Sequence, residues 1–114
     1  MRKSNGKQLA IDIMHRSICS VQVGAAIEDT TGRIVSWGWN GVGSDGLGCH
    51  AEYEAIRRSN RKRLDGAFIY VASQRRRNGK IVNSRPCDDC DRIIKKHGLR
   101  VWFRNAANLW TRAT

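Results

Sequence analysis

Two short segments of this sequence contain the side chains that could bind a metal ion and move a proton. The first is Cys49-His50-Ala51-Glu52, and the second is Arg85-Pro86-Cys87-Asp88-Asp89-Cys90. Because Cys87 and Cys90 lie three residues apart, their sulfur atoms face the same way on the first turn of a helix, where the helix N-terminus favours the thiolate form. Two thiolates and one neutral imidazole are a ligand set for Zn²⁺ that leaves a fourth tetrahedral position open. The spacing therefore predicts a catalytic zinc site formed by His50, Cys87 and Cys90.

Glu52 is the candidate proton carrier of this site. It follows His50 by two residues on the same first helical turn, so its carboxylate can reach a zinc-bound water without being a ligand. Zinc lowers the pKa of such a water to near neutrality, and a carboxylate can take its proton and deliver protons to a leaving group. This chemistry fits the hydrolytic removal of an exocyclic amine from a ring carbon, which is a deamination.

A closed structural zinc site is the competing interpretation. It would use Cys49 as a fourth ligand beside His50, yet adjacent residues are poorly placed to bind one metal ion, and closed sites normally show paired spacing on both sides. It would also leave Glu52 without a role. We therefore predict a catalytic site, and we expect Cys19 and Cys49 to be small packing residues.

Alternating helical and strand patterns surround the two segments. The predicted elements, in chain order, are a helix at 7–16, strands at 20–28 and 33–39, a helix at 50–58, a strand at 67–72, a helix at 87–97 and a strand at 99–103. The alternation in the second half indicates βαβ units, and the first two strands form a hairpin, so we expect an α/β fold with a mixed sheet. We expect the sheet to end at this fourth strand, with a short helix around Leu109 and Trp110. Trp37 and Trp39 lie on one face of their strand and are expected in the core.

The charge balance favours an acidic partner. The 114 residues include 21 lysines and arginines against 10 acidic residues, a net charge of +11, and 15 of the 21 are arginines. The planar guanidinium group suits phosphate oxygens better than a lysine ammonium group does. No apolar run approaches the roughly 18 residues that span a bilayer, and no apolar stretch follows the basic start as a signal peptide would require. We expect a cytoplasmic protein without a membrane partner, in which disulfide bonds are unlikely.

The basic residues concentrate in two clusters. The first comprises Arg57, Arg58, Arg61, Lys62 and Arg63, and the second comprises Arg75, Arg76, Arg77, Lys80 and Arg85. Cations at a helix C-terminus are favourable for the helix dipole alone, which accounts for the first cluster. The second cluster surrounds an Asn78-Gly79 turn signal at a hairpin tip and has no helix to stabilise. Arg75, Arg76, Arg77 and Arg85 are therefore candidate contacts to phosphate groups or nucleic acid.

The paired motifs His50-x-Glu52 and Pro86-Cys87-x-x-Cys90 resemble those of the zinc-dependent cytidine and deoxycytidylate deaminase superfamily. The resemblance extends from about Gln8 to Phe103, and the stretch from Ser36 to Gly41 looks most like the deoxycytidylate deaminase branch. It implies a three-layer α/β/α sandwich formed by one domain over residues 1–114, with Zn²⁺ as cofactor. It also implies that Asn40 contacts the sugar and base of the substrate, while a simple turn residue is the alternative interpretation of Asn40.

The resemblance implies hydrolytic deamination of a nucleobase. The first expectation is conversion of cytosine to uracil in a cytidine or deoxycytidine nucleotide or in single-stranded nucleic acid. One alternative is an adenosine deaminase that acts on tRNA or another polynucleotide, and a further alternative is a non-catalytic zinc module that binds nucleic acid. Glu52 distinguishes a deaminase from the non-catalytic module, because a binding module has no need of a carboxylate beside zinc. Self-association is left open, with Trp102, Leu109 and Trp110 as interface or core residues.

Overall fold

Three helices and five strands form the fold. The computed structural model describes residues 5–41 and 50–113, apart from the side chain of Arg61. The elements are α1 (Gly6–Met14), β1 (Val21–Glu28), β2 (Ile34–Trp39), α2 (Ala51–Arg58), a 3₁₀ turn (Arg61–Arg63), β3 (Phe68–Arg75), α3 (Asp88–Lys96), β4 (Arg100–Arg104) and β5 (Trp110–Arg112). The Gly-rich segment 42–48 and Cys49, which we expected to be a packing residue, lie outside the described residues.

The five strands form one mixed sheet in the order β2-β1-β3-β4-β5. Strand β1 pairs antiparallel with both β2 and β3, the central strand β3 pairs parallel with β4, and β4 pairs antiparallel with β5. The parallel β3–β4 pair is linked through α3, as the βαβ pattern predicts. The predicted α/β class and mixed sheet are confirmed.

The sheet has a hydrophobic core on each face, because successive strand side chains point to opposite sides. Ile27, Ile69 and Val101 pack with α2 and α3 on one face. Ala26 and Ala72 pack with α1 on the other face. The result is the expected three-layer α/β/α sandwich, in which β3 is the apolar strand in the middle of the sheet.

Two glycines let helices approach the sheet closely. A Cβ atom at Gly24 would meet the backbone of α1 at Ala10 and would lie 2.7 Å from the amide nitrogen of Met14. A Cβ atom at Gly38 would lie 2.7 Å from the amide nitrogen of Ala55 and 2.8 Å from the carbonyl oxygen of Ala51. Both distances are too short for a side chain, so α1 and α2 lie directly against strand backbone.

The chain after β4 differs from its prediction. Instead of a short helix around Leu109 and Trp110, a turn leads into β5, and the expectation that the sheet ends at the fourth strand is wrong. The side-chain oxygen of Asn105 accepts hydrogen bonds from the amides of Ala107 and Leu109, at 2.9 and 3.1 Å. Asn108 adopts a left-handed conformation with φ of 63°. The turn is therefore specified by asparagine side chains, which a helical pattern does not reveal.

The prediction that Trp37 and Trp39 are core residues is also wrong. β2 is an edge strand, and 41% of Trp37 is exposed. Trp39 is half-buried, and the guanidinium groups of Arg16 and Arg58 lie over its ring, 5.3 and 5.0 Å from the ring centroid. Within the described ranges, no helix has the length and hydropathy needed to cross a membrane.

Candidate active site

The N-termini of α2 and α3 bring three metal-ligating side chains together. His50 is the residue before α2, Cys87 is the residue before α3, and Cys90 lies on the first turn of α3. The sulfur atoms of Cys87 and Cys90 lie 3.7 and 3.3 Å from Nδ1 of His50, and all the ligand atoms lie within 4.8 Å of one another. Zn–S bonds of about 2.3 Å and Zn–N bonds of about 2.1 Å place neighbouring ligands of a tetrahedral zinc about 3.6 Å apart. The structure thus brings together His50, Cys87 and Cys90 with a spacing that fits zinc.

The chemistry of the donor set also fits a bound cation. Burial raises the pKa of the Cys90 thiol, and the neighbouring Glu52 and Cys87 raise it further. Without a cation, the thiol stays protonated, whereas a zinc ion stabilises the thiolate that it binds. Acidic side chains on the first turn of α3 and Lys95 and Lys96 on its last turn match the direction of the helix dipole.

Glu52 lies on the first turn of α2, next to the three ligands. It is only 5% exposed, and burial raises the pKa of its carboxyl group above the ordinary value. A backbone hydrogen bond and the nearby His50 oppose this rise. The structure therefore places a proton-binding side chain in an apolar setting beside a metal-ligating group.

A cavity of about 370 Å³ opens beside these residues. Its size lies in the range of about 300–1,000 Å³ that is typical of small-molecule sites. Val21 and Val23 form an apolar part of its wall. The cavity is lined by Cys19, Val21, Val23, Asn40, Gly41, His50, Ala51, Glu52, Ser73, Asn83, Ser84, Arg85 and Cys87. Its wall thus combines an apolar part with polar and charged side chains on the side of His50 and Glu52.

Asn40, the predicted substrate contact, lies in the cavity wall, and its side chain already has backbone partners. The Asn40 oxygen accepts a hydrogen bond from the amide of Val23 at 2.8 Å, and its nitrogen donates one to the carbonyl oxygen of Val21 at 2.8 Å. The second amide proton and the second oxygen lone pair are the capacity that a substrate could use. Asn40 thus joins the end of β2 to the start of β1 at the edge of the cavity.

Comparison with known protein families shows which family the chain belongs to. The family model described as the cytidine and deoxycytidylate deaminase zinc-binding region matches residues 2–104. The chain belongs to this family. A search of curated proteins finds no match. Membership confirms the predicted resemblance and establishes the zinc-dependent deaminase class of hydrolase for the chain.

Solved deaminase structures share the fold. The cytidine deaminase from Burkholderia pseudomallei superposes with a TM-score of 0.76 at 18% identity, covering 96% of this chain and 89% of that one. The dCMP deaminase from the cyanophage S-TIM5 has a TM-score of 0.67 at 24% identity, covering 88% and 79%. The cytidine deaminase from Mycobacterium leprae has a TM-score of 0.62 at 18% identity, covering 93% and 88%. These likenesses confirm the cytidine deaminase fold.

The deaminase cavity contains polar residues that sequence reasoning missed. The hydroxyl groups of Ser73 and Ser84 lie 2.7 Å apart, and both residues are buried. This bond ties β3 to the loop that leads to Cys87, and the amide of Ser84 also donates to the carbonyl oxygen of Arg104 at 3.0 Å. Single serines carry no signal for such a contact. Cys19 is a half-buried wall residue of the cavity rather than a packing residue of the core.

The two basic clusters have different surroundings in this deaminase. In the first cluster, Arg57 and Arg58 pair with Glu54 on the same helix, and Arg63 pairs with Asp29. In the second cluster, Arg85 lines the cavity, and Arg76 and Arg77 line a neighbouring depression. Arg75 ends β3 and is exposed.

Proposed function

We propose that this protein catalyses the zinc-dependent hydrolytic deamination of a cytosine base presented as a nucleotide, with water as the second reactant and uracil and ammonia as the products. The observation that carries the proposal is the position of Glu52, a buried carboxyl group that lines the cavity beside His50 and Cys87. A closed structural zinc site has no use for such a group. Family membership supports the same class of reaction.

In this proposal, His50, Cys87 and Cys90 would hold the zinc ion, which would supply Lewis-acid activation of water at neutral pH. Each ligand has a fixed support. Cys87 and Cys90 are carried by the start of α3, and the loop before Cys87 is held by the Ser73–Ser84 hydrogen bond. His50 is carried by the start of α2, which lies against β2 at Gly38.

Glu52 moves the protons. Its carboxylate takes a proton from the attacking water and delivers it to the ring nitrogen next to the reacting carbon. The carboxylate then takes the remaining proton from the hydroxyl group added to the ring carbon and gives it to the departing amine. The carbon–nitrogen bond breaks, ammonia leaves, and the carbonyl group of uracil forms. Burial raises the pKa of the Glu52 carboxyl group, which increases its proton affinity and so favours uptake of the proton from water.

The cavity wall orients the nucleotide. Val21 and Val23 offer apolar contact to the ring of the base, and Asn40 offers its remaining amide proton to the sugar or base. Arg85 is the cation in the cavity wall, and it supplies donors for a phosphate group.

The test compares the zinc-loaded protein with Glu52→Ala. Mass spectrometry follows conversion of amine to carbonyl in deoxycytidylate, cytidine, single-stranded DNA and tRNA, and atomic emission measures bound zinc. We expect the wild type to convert cytosine, and we expect Glu52→Ala to bind zinc but to lose at least about 10²-fold in rate, as removal of a general acid–base group does. Glu54→Gln is the matched control, because Glu54 lies on the same helix and forms ion pairs with Arg57 and Arg58 rather than lining the cavity.

The proposal is wrong if Glu52→Ala retains the wild-type rate, or if no cytosine substrate is converted. Conversion of adenosine in tRNA alone would establish the adenosine deaminase alternative. Zinc binding without conversion of any substrate would establish a zinc-binding module.

A further inference from the structure

A second depression lies next to the candidate active site. It has a volume of about 350 Å³ and is lined by Ser20, Arg76 and Arg77. Ser20 lies between Cys19 and Val21, which both line the catalytic cavity. The two cavities are therefore separated by a single segment of chain.

The hairpin that carries these arginines has a defined conformation. The amide of Arg76 donates to the carbonyl oxygen of Ser20 at 2.9 Å, so the hairpin is joined directly to the segment between the two cavities. The amide of Arg75 donates to the carbonyl oxygen of Lys80 at 2.8 Å, and Gly79 closes the turn with φ of 69°. The backbone from which Arg76 and Arg77 extend is therefore fixed relative to the catalytic cavity.

The charge on this surface has no partner in the part of the chain that the structure describes. The sequence has no acidic residue between Asp65 and Asp88, and this stretch contains Arg75, Arg76, Arg77, Lys80 and Arg85. No ion pair joins any of these five cations to an acidic side chain within residues 5–41 and 50–113, whereas Arg57, Arg58, Arg63, Arg92 and Lys95 each have one. Clustered cations without acidic partners form a surface complementary to a polyanion.

We propose that the substrate of the candidate active site is single-stranded nucleic acid, with the phosphate beside the reacting nucleotide at Arg85 and a further backbone phosphate at Arg76 and Arg77. The inference rests on the proposed function, which supplies the chemistry at the cytosine. A free mononucleotide carries phosphate at one position and leaves the second depression unused. A single strand is the appropriate form, because a cytosine stacked inside a duplex cannot enter a cavity until it is flipped out.

Binding is measured with Glu52→Ala, so that no substrate is consumed. Fluorescence anisotropy follows a labelled oligodeoxythymidylate of about nine nucleotides with one central cytosine, and its ribose counterpart, over a range of salt concentrations. Arg76→Gln/Arg77→Gln is added to this background. Arg33→Gln/Lys62→Gln is the matched control, since it removes the same charge from exposed positions near the opposite end of β1.

We expect the arginine double variant to bind the oligonucleotide roughly tenfold more weakly, and the slope of log affinity against log salt to fall by about 0.7, the value for one lost phosphate contact on a single strand. The control double variant keeps most of the affinity, and its slope of log affinity against log salt falls less than that of the arginine double variant. In the active protein, the ratio of kcat/KM for the oligonucleotide to kcat/KM for deoxycytidylate falls about tenfold in the arginine double variant.

Two results overturn the inference. If deoxycytidylate is deaminated but the oligonucleotide is neither bound nor converted, the inference is wrong and the proposed function stands. If both double variants weaken binding equally, the net charge of the protein explains the binding, and Arg76 and Arg77 do not form a specific site. Binding that depends on these two arginines without conversion of any substrate would overturn the proposed function and retain the nucleic-acid site. The deoxyribose and ribose oligonucleotides separate a DNA substrate from an RNA substrate.

Discussion

The side-chain amide of Asn40 holds two strands together and also lines the cavity where we propose that substrate binds. Both ends of this amide bind the backbone of β1, at Val23 and Val21. The same side chain lines the cavity. A change that removes only the donor therefore affects the strand junction and any contact of the nitrogen with substrate.

Asn40→Asp tests this double role. The aspartate keeps an acceptor for the Val23 amide but faces the Val21 carbonyl oxygen with another oxygen, so we expect the free energy of unfolding to fall by about 1 kcal/mol. We also expect a higher KM for the converted nucleotide at a temperature where the variant is folded. Urea unfolding and steady-state kinetics measure the two effects. An unchanged KM would limit Asn40 to the strand junction.

The metal ligands were predictable because their chemistry is local in sequence. The Cys87-x-x-Cys90 spacing places two thiols on one helical turn, and His50 and Glu52 share another. The remaining cavity residues were not predictable in this way. Ser73 and Ser84 meet only because β3 and the following loop are folded against each other, and a serine by itself has no pattern that reports such a contact.

Helix α2 positions His50 and Glu52 because it packs on backbone rather than on side chains. The hypothetical Cβ at Gly38 would overlap the backbone at Ala51 and Ala55. The hydroxyl of Ser36 donates to the carbonyl oxygen of Ala55 at 2.6 Å and joins the same two elements. The close packing of α2 on β2 therefore sets the positions of His50 and Glu52 relative to the sheet.

Gly38→Ala should move α2 away from the sheet. We expect a loss of about 1–3 kcal/mol in the free energy of unfolding, as for other overpacked interiors, and weaker zinc binding in competition with a chelator. Gly41→Ala is the stability control, because no described atom lies within 4 Å of its Cβ position. Equal unfolding midpoints for Gly38→Ala and the wild type would contradict the close packing of α2.

The strands show where sequence patterns stop being informative. The apolar run at 67–72 predicted the central strand β3, because a strand that is buried on both faces is apolar at nearly every position. β5 has only three residues, Trp110–Arg112, and its strand conformation depends on pairing with β4 across the Asn105 turn. The hairpin pattern predicted β2 and the common face of its tryptophans, but it did not show that the strand lies at an edge of the sheet.

For the whole molecule, acid stability depends on one buried carboxylate in a strongly cationic chain. Asp29 accepts hydrogen bonds from the hydroxyl of Thr31 at 2.5 Å and from the amides of Thr31 and Arg33, and it pairs with Arg63. The Thr31 hydroxyl, the two amides and Arg63 together hold the pKa of Asp29 well below its usual range, against the opposing effect of burial. The β1–β2 turn is therefore stabilised by the ionised form.

Asp29→Asn should change how stability depends on pH. Because the pKa in the folded state is lower than the unfolded value of about 3.9, the stabilisation is fully present above about pH 5 and is lost as the pH falls through 4 toward the lowered pKa. We expect the variant to be less stable than the wild type at neutral pH and to lose less further stability on acidification. Urea unfolding midpoints between pH 7 and pH 3 measure both. Parallel curves for the two proteins would contradict the assignment.

The distance along the chain between the metal ligands also sets the order in which the molecule can assemble. Strands β1 and β2 are joined by a short turn, whereas His50 lies 37 residues before Cys87 and 40 before Cys90. During synthesis, a chain that has emerged only through β3 contains a complete hairpin and the imidazole but neither sulfur ligand. The metal centre therefore cannot be completed until the chain has been made through Cys90, at the start of α3.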